Sequence, residues 1–172
     1  NGAFIEALND LEIKLNNVSF QYGVETSLAL NGINLILTKG QSIGFVGSTG
    51  SGKSTLLDII MGLITPTEGV IKVDGSVITT SNVRNWQANI AHVSQDIYLF
   101  DSTIAENIAF GESKSEIDFD LVRESAKNAC IAETIESWSD QYQTVIGERG
   151  VRLSGGQIQR IGIARALYRQ AN

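Results

Sequence analysis

The chain has 172 residues, of which 42% are hydrophobic and 19% charged, and its formal net charge is −6. This length fits one domain, and the acidic balance argues against nucleic acid or an anionic membrane surface as a general partner. One cysteine and one histidine exclude a disulfide framework and a zinc site built on several such ligands. No apolar run approaches the ~20 residues that a bilayer-spanning helix needs.

Alternating apolar residues predict antiparallel strands in the first forty residues. The period-two pattern covers 11–22 and returns over 33–37. Farther along, 70–73 and 77–78 flank Asp74-Gly75, which predicts a β-hairpin with a tight turn. Together these segments indicate a half-exposed antiparallel sheet.

A different pattern surrounds a glycine-rich segment in the middle of the chain. The continuous apolar run at 43–46 predicts a strand buried on both faces. A helix with apolar residues at helical spacing is predicted over 54–63, ended by Gly62 and Pro66. A second short buried strand is predicted at 90–93, with His92 as a strand residue that has no catalytic role.

Helices are predicted from about Asp101 onward. Thr103 and Glu106 form a capping box, and a longer helix carries apolar and small residues on one face over 121–129. Cys130 follows it and is predicted to be a small core residue. A final helix begins near Ser154. This order of elements predicts an α/β domain with an antiparallel flank and a helical insert.

Residues 47–54 read Gly-Ser-Thr-Gly-Ser-Gly-Lys-Ser and fit the phosphate-loop pattern G-x-x-x-x-G-K-[ST]. Glycines let successive backbone N–H groups surround phosphate oxygens, and the dipole of the following helix favours the anion. Lys53 is placed to reach the β- and γ-phosphates and Ser54 to bind Mg²⁺. A flexible Gly/Ser loop is the alternative, which the strand–loop–helix context disfavours. The predicted phosphate-site residues are Gly47, Ser48, Thr49, Gly50, Ser51, Gly52, Lys53, Ser54 and Thr55.

A second glycine-containing cluster is Leu153-Ser154-Gly155-Gly156-Gln157. Taken alone, it reads more readily as a serine N-cap than as an anion site. Combined with a phosphate loop about a hundred residues earlier, it resembles the ATP-binding-cassette (ABC) ATPase family, whose signature sequence it matches letter for letter. The resemblance covers nearly the whole chain. It implies a P-loop NTPase core with an antiparallel β flank and an α-helical signature subdomain.

The resemblance also implies roles for individual residues. Tyr22 matches the aromatic residue on which adenine stacks, although it could simply be the last inward residue of a strand. Gln95 matches a glutamine expected to contact Mg²⁺ or the attacking water and to relay the nucleotide state to a membrane partner. Ser154, Gly155, Gly156 and Gln157 would contact the γ-phosphate of ATP bound to a second nucleotide-binding domain in a head-to-tail dimer. Lys53 and Gln95 are thus the catalytic candidates, and Ser54 and Gln95 the Mg²⁺ ligands.

Two stretches, 100–108 and 144–150, resemble the exporter branch of the family, in which the cassette follows a transmembrane domain in the same polypeptide. Glu148 matches an acidic residue that contacts the loops of that domain, although it could simply be a solvated acid in a surface loop. The resemblance implies an integral membrane parent, with this domain at the cytoplasmic face of the membrane. The expected organisation is a linker at 1–10, an ATP-binding core at 11–95, a helical subdomain at 96–157 and a return helix at 158–172.

The family's next strand, which ends in Asp-Glu, and its switch histidine are expected beyond Asn172. The chain therefore reads as a domain truncated before the Walker B strand. The expected function is ATP binding and hydrolysis that drives export, with hydrolysis in the parent protein and little or none in this segment. The alternatives are an ATP-binding segment without turnover and a soluble ABC ATPase that is not a transporter.

Overall fold

A computed structural model describes residues 12–23, 27–147 and 153–170. The chain forms two compact units that divide between Ile90 and Ala91. The predicted boundary, after residue 95, lies five residues beyond the observed one. The finer division of the chain remains a prediction. Within the described ranges, no helix is long and apolar enough to cross a membrane.

The first unit contains a four-stranded antiparallel sheet in the order β2-β1-β3-β4. Leu15 of β1 pairs with Leu35 of β2 on one side and with Ile71 of β3 on the other, so β1 is central. The predicted hairpin is confirmed, because Asp74 and Gly75 both have positive φ, as a tight two-residue turn requires. The strands are β1 Glu12–Phe20, β2 Leu30–Thr38, β3 Glu68–Val73 and β4 Ser76–Val77.

Two helices, α1 (Lys53–Ile60) and α2 (Val83–Gln87), accompany this sheet. Ile59 of α1 is fully buried, in one apolar cluster with strand residues such as Val18 and Val73. The Trp86 indole N–H donates to the Ile60 carbonyl over 2.8 Å, which ties α2 to the end of α1. The core thus fixes α1, and with it the segment that precedes α1.

The predicted strands at 43–46 and 90–93 are wrong. Both segments have irregular backbone, and Val46 is 97% exposed. A buried strand needs ladder hydrogen bonds to neighbouring strands on its edges. No described strand lies beside either segment, since the one sheet found contains only β1 to β4. The run at 43–46 therefore has the apolar composition of a buried strand, but it has no neighbouring strand to pair with among the described residues.

The second unit is helical and has its own apolar core, centred on fully buried Leu99, Ile104, Ile108, Val122 and Ile161. The Thr103–Glu106 capping box is confirmed, and Ser154 and Gln157 form another at the start of the last helix. The elements are α3 Ile104–Ile108, α4 Phe119–Asn128, α5 Ala132–Glu136, a 3₁₀ turn at Gln141–Gln143, and α6 Gly155–Tyr168.

Cys130 is exposed, so its predicted place in the core is wrong. Its φ of 55° shows that the chain turns away just after α4, whose C-cap is Ala129. The next residue, Ile131, is the one that enters the core. The helix ends before Cys130, so its buried face does not include this residue.

Candidate functional site: a phosphate loop and an aromatic platform

The glycine-rich loop reaches α1 through two residues in the left-handed region. Gly50 has φ of 81° and Gly52 has φ of 85°. Gly52 also faces a close neighbour, because a Cβ there would overlap the Ala29 carbonyl oxygen and lie 2.9 Å from Leu30 Cδ2. The pattern's last glycine is thus required for backbone conformation and for close approach to β2.

Gly52 is the N-cap of α1, so the loop delivers the chain directly to a helix N-terminus. The N–H groups of Lys53, Ser54 and Thr55 stand in the first turn, where a helix supplies no carbonyl partners. They carry the positive end of the helix dipole, which favours an anion. The local sequence therefore places a helix N-terminus at the end of the glycine-rich loop, as the motif predicts.

Lys53 turns its ammonium group back over the loop. Its Nζ donates to the carbonyl oxygens of Gly47 (2.9 Å) and Ser48 (2.7 Å) and to Ser51 Oγ (3.2 Å). These bonds use all three donors of the ammonium and hold it on the exposed loop. A phosphate oxygen would exchange one or more of them for a charge-assisted hydrogen bond.

Tyr22 stands across from this helix start. Its hydroxyl lies 2.9 Å from Thr55 Oγ1, and its ring meets Phe20 edge-on at 4.9 Å between centroids. The side chain is 68% exposed, so Tyr22 is not an inward strand residue, and the alternative prediction for it is wrong. Its position is held by contacts on both sides while the ring stays open to solvent.

Tyr22 and the phosphate loop line one cleft of about 410 Å³. The cleft combines an aromatic ring, a lysine and a helix N-terminus, which suits a ligand with a flat base at one end and phosphates at the other. Its lining residues are Tyr22, Ser27, Leu28, Ala29, Gly50, Gly52, Lys53, Ser54 and Thr55. A second cavity of the same unit, about 340 Å³ beside β3, is lined mainly by apolar residues and contains no charged side chain.

The exposed Ser54 fits the role predicted for it toward Mg²⁺. It lines the same cleft as Lys53, and a hydroxyl oxygen is a suitable ligand for this hard cation. The described residues contain no group of three or more acidic, histidine or cysteine side chains that could hold a metal by themselves. Mg²⁺ at nucleotide sites usually keeps several waters and binds substrate phosphates with one or two protein ligands, a role that the Ser54 hydroxyl would suit.

The second predicted cluster lies at the N-terminus of α6. The Ser154 N–H donates to Gln157 Oε1 (2.8 Å), and the Gln157 N–H donates to Ser154 Oγ (3.3 Å). Gly155 and Gly156 are exposed, with no atom near the position of an added Cβ. The capping box fixes the start of the helix, and the two glycines leave its first N–H groups accessible to an anion.

The structure thus brings Tyr22 together with the phosphate loop in the first unit, whereas Gln95 and Ser154–Gln157 belong to the second unit. Gln95 is exposed at a bend of the chain. Glu148 lies outside the described residues.

Sequence reasoning missed Asn107 and Arg165, which are linked by hydrogen bonds although 58 positions separate them. No signal in the sequence marks the pair, because the burial of Asn107 is evident only in the structure.

A phosphate loop at a helix start, beside an antiparallel sheet and followed by a helical unit, defines a P-loop nucleotide-binding protein. A family model described as "ABC transporter" matches residues 30–172. The chain therefore belongs to the ABC transporter family, which confirms the resemblance and carries ATP binding with it.

Individual relatives agree with this assignment. The chain is 38% identical over 161 residues to an ATP-dependent lipid A-core flippase of Ralstonia nicotianae, covering 93% of this chain and 27% of the relative. It is 43% identical over 159 residues to the flippase of that name from Saccharophagus degradans, covering 92% and 27%. The structure of a bacterial Atm1-family ABC exporter with ATP bound matches with a TM-score of 0.85 at 35% identity, covering 95% of this chain and 28% of that one. The chain thus spans little more than a quarter of the length of these relatives.

Proposed function

We propose that this chain is the nucleotide-binding domain of an ABC exporter and that it binds Mg²⁺-ATP in the cleft between Tyr22 and the phosphate loop. One observation carries the proposal: an aromatic ring, a lysine and an uncapped helix N-terminus line the same cleft. Adenine would stack on Tyr22, and the phosphates would take the α1 N–H groups and the Lys53 ammonium. Ser54 and the phosphates would hold Mg²⁺, with Gln95 as the further ligand that the family pattern implies.

Mg²⁺, when bound, spreads the negative charge that builds on the transferred phosphoryl group. The residues of this chain contribute position and charge. The α1 N-terminus orients the phosphates, Lys53 stabilises charge at the β- and γ-oxygens, and Tyr22 fixes the base. Hydrolysis belongs to the full-length protein in this proposal.

The second half of the proposal is a head-to-tail dimer, in which Ser154–Gln157 of each copy completes the site of the other. It is supported by the accessible first turn of α6, since Gly155 and Gly156 carry no side chain to cover the N–H groups. The γ-phosphate of a partner's ATP is an anion of suitable size for that position.

The transmembrane part of the same polypeptide is the proposed partner of an aromatic surface on the second unit, formed by Tyr98, Phe100 and Phe110. These side chains are 56%, 42% and 51% exposed and contact one another. Clustered exposed aromatics are typical of an interaction site. The relatives that the chain matches are more than three times its length, which leaves ample chain for such a domain.

ATP turnover by the full-length protein tests the proposal. Gly156→Asp would place a carboxylate at the α6 N-terminus, where it repels the γ-phosphate. We expect turnover to fall at least tenfold while ATP binding persists, and Gln159→Asp, which is exposed on the next turn, to have little effect. Equal loss of activity in the two variants would contradict the role of the signature residues. ATP binding without any turnover in the unsubstituted full-length protein would favour the alternative of a nucleotide-binding protein without hydrolysis.

A further inference from the structure

Arg165 on α6 is hydrogen-bonded to two other segments of the second unit. Its Nε donates to the Asn107 carbonyl (2.9 Å), Nη1 to the Tyr98 carbonyl (3.0 Å) and Nη2 to Asn107 Oδ1 (3.3 Å). Because the guanidinium is a rigid planar fork, three bonds to two segments fix its direction as well as its position. Tyr98 and Asn107 are therefore both hydrogen-bonded to α6 through one side chain.

The charge of Arg165 is compensated by carbonyls and a ring face. Among the residues that the structure describes, no carboxylate forms an ion pair with it. Burial lowers its pKa from the ordinary value, which reflects the removal of water around the guanidinium. The Asn107 carbonyl belongs to the last turn of α3, where backbone oxygens lack helical partners and a cation is favoured. This geometry indicates a structural clamp, not a surface charge pair.

Asn107 extends the clamp to the loop before α3. The residue is fully buried, and the two N–H groups of its Nδ2 are shared among three acceptors, the carbonyls of Phe100 and Thr103 and Ser102 Oγ, each 3.0 Å from Nδ2. Its Oδ1 accepts from the Phe100 N–H over 2.9 Å. The side-chain amide of Asn107 thereby fixes the backbone of Phe100.

Arg165 also touches the aromatic surface directly. Its guanidinium carbon lies 5.1 Å from the centroid of the Phe110 ring, within the range of a cation–π contact. Phe110 stacks on Phe100 at 4.9 Å and 11°, and Phe100 meets Tyr98 edge-on at 5.0 Å. Arg165 therefore contacts the backbone of Tyr98 and the ring face of Phe110, and it is linked to Phe100 through Phe110.

We propose that Arg165 is a positioning residue that transmits the placement of the aromatic surface to the signature residues Ser154–Gln157. Arg165 and Ser154 belong to one continuous helix, eleven residues or roughly 16 Å apart along the axis. A shift of Tyr98, Phe100 or Phe110 on contact with a partner would thus move the N-terminus of α6. The inference rests on the proposed function, because it assigns a partner to the surface and ATP to the signature residues.

The test uses the purified full-length protein and steady-state ATP hydrolysis. Arg165→Lys keeps the charge but loses the fork, and Phe110→Leu removes the ring at an exposed position. We expect each to lower kcat at least fivefold and to leave KM for ATP within twofold, since the phosphate loop lies in the other unit. The double variant should be no slower than the slower single one, because both changes break the same link.

Arg160→Lys is the matched control, since Arg160 is also on α6 and donates to one carbonyl, that of Cys130 (3.0 Å). When Arg160→Lys is combined with Phe110→Leu, the fold reductions in kcat of the two single variants should multiply. Multiplicative effects for Arg165→Lys with Phe110→Leu, or unchanged kcat in either single variant, would overturn the inference. Should Arg165→Lys fail to fold, hydrogen–deuterium exchange at 154–158 in Phe110→Leu replaces it. Faster exchange supports the link, and unchanged exchange overturns it.

Turnover in the unsubstituted protein that is absent, or that survives Lys53→Ala, would overturn the proposed function and this inference together. Turnover that depends on Lys53 but shows independent effects of Arg165 and Phe110 would overturn the inference alone.

Discussion

The Tyr22 hydroxyl lies 2.9 Å from the hydroxyl of Thr55, and this bond joins the aromatic side of the cleft to the helix that begins at the phosphate loop. Thr55 is buried, whereas the Tyr22 ring is open to solvent. The bond therefore holds the ring in place without covering the face that a base would use.

Replacement of Tyr22 should weaken nucleotide binding in proportion to the loss of its ring. Tyr22→Ala removes the stacking surface, worth roughly 0.5–1.5 kcal/mol, so the affinity for ATP should fall about two- to tenfold. Tyr22→Phe keeps the ring and should bind ATP nearly as well as the unsubstituted chain. Calorimetric titration measures both variants. Inorganic tripolyphosphate is the control ligand, and an equal loss of its affinity in Tyr22→Ala would contradict stacking as the cause.

Gly52 and Gly50 allow backbone strain to be separated from steric overlap. Both have left-handed φ, so alanine costs roughly 1–2 kcal/mol at either position. Only at Gly52 does the added Cβ overlap the Ala29 carbonyl, whereas at Gly50 nothing lies within 4 Å. Denaturant unfolding should show Gly52→Ala to be the more destabilising change by at least about 1 kcal/mol. Equal losses would mean that the loop does not approach β2 as closely as described.

Asn107→Ala should be among the most destabilising substitutions in the second unit. It deletes five hydrogen bonds of a fully buried side chain, including the one from Arg165, and leaves the Phe100 N–H and several oxygens without that partner. The expected loss in free energy of unfolding is about 2–4 kcal/mol. Asn128→Ala, at an exposed position of α4, should cost less than about 0.5 kcal/mol. Comparable losses for the two would contradict the clamp.

Glu106 should make the second unit less stable in acid. The hydrogen bond from Lys114 (2.7 Å) holds the pKa of Glu106 below its ordinary value of 4.5, burial opposes this, and the Thr103 N–H adds to it. A lowered folded-state pKa means that the stabilisation is complete above pH 4.5 and is lost as the pH falls below it. Glu106→Gln should flatten the dependence of the melting temperature on pH in that range. Glu124→Gln, exposed on α4, should keep the original slope, and an unaltered slope in Glu106→Gln would refute the assignment.

Features fixed by neighbouring residues could be predicted from the sequence. The alternation in β1 and β2, the turn at Asp74-Gly75 and the capping boxes at Thr103 and Ser154 all depend on contacts within a few positions. The glycine pattern of the phosphate loop likewise predicted that a helix begins where the loop ends.

Features that depend on distant partners could not be predicted in the same way. The run at 43–46 is apolar, but whether it forms a strand depends on strands that pair with it. The Tyr22–Thr55 bond spans 33 positions and the Arg165–Asn107 bonds span 58, and no local pattern marks them. The prediction for Cys130 is wrong for a different reason. Cys130 itself has a left-handed φ, so the chain changes direction there and the side chain does not enter the core.

ATP binding by the chain itself, with and without the Lys53 ammonium, shows whether the cleft beside Tyr22 holds the nucleotide. Calorimetric titration with Mg²⁺-ATP should give saturable binding that weakens at least tenfold in Lys53→Ala, because a charge-assisted bond to phosphate is lost. Lys127→Ala, an exposed lysine of α4, should bind as the unsubstituted chain does. Affinity that is unchanged in Lys53→Ala, or lost equally in Lys127→Ala, would contradict the placement of ATP in this cleft.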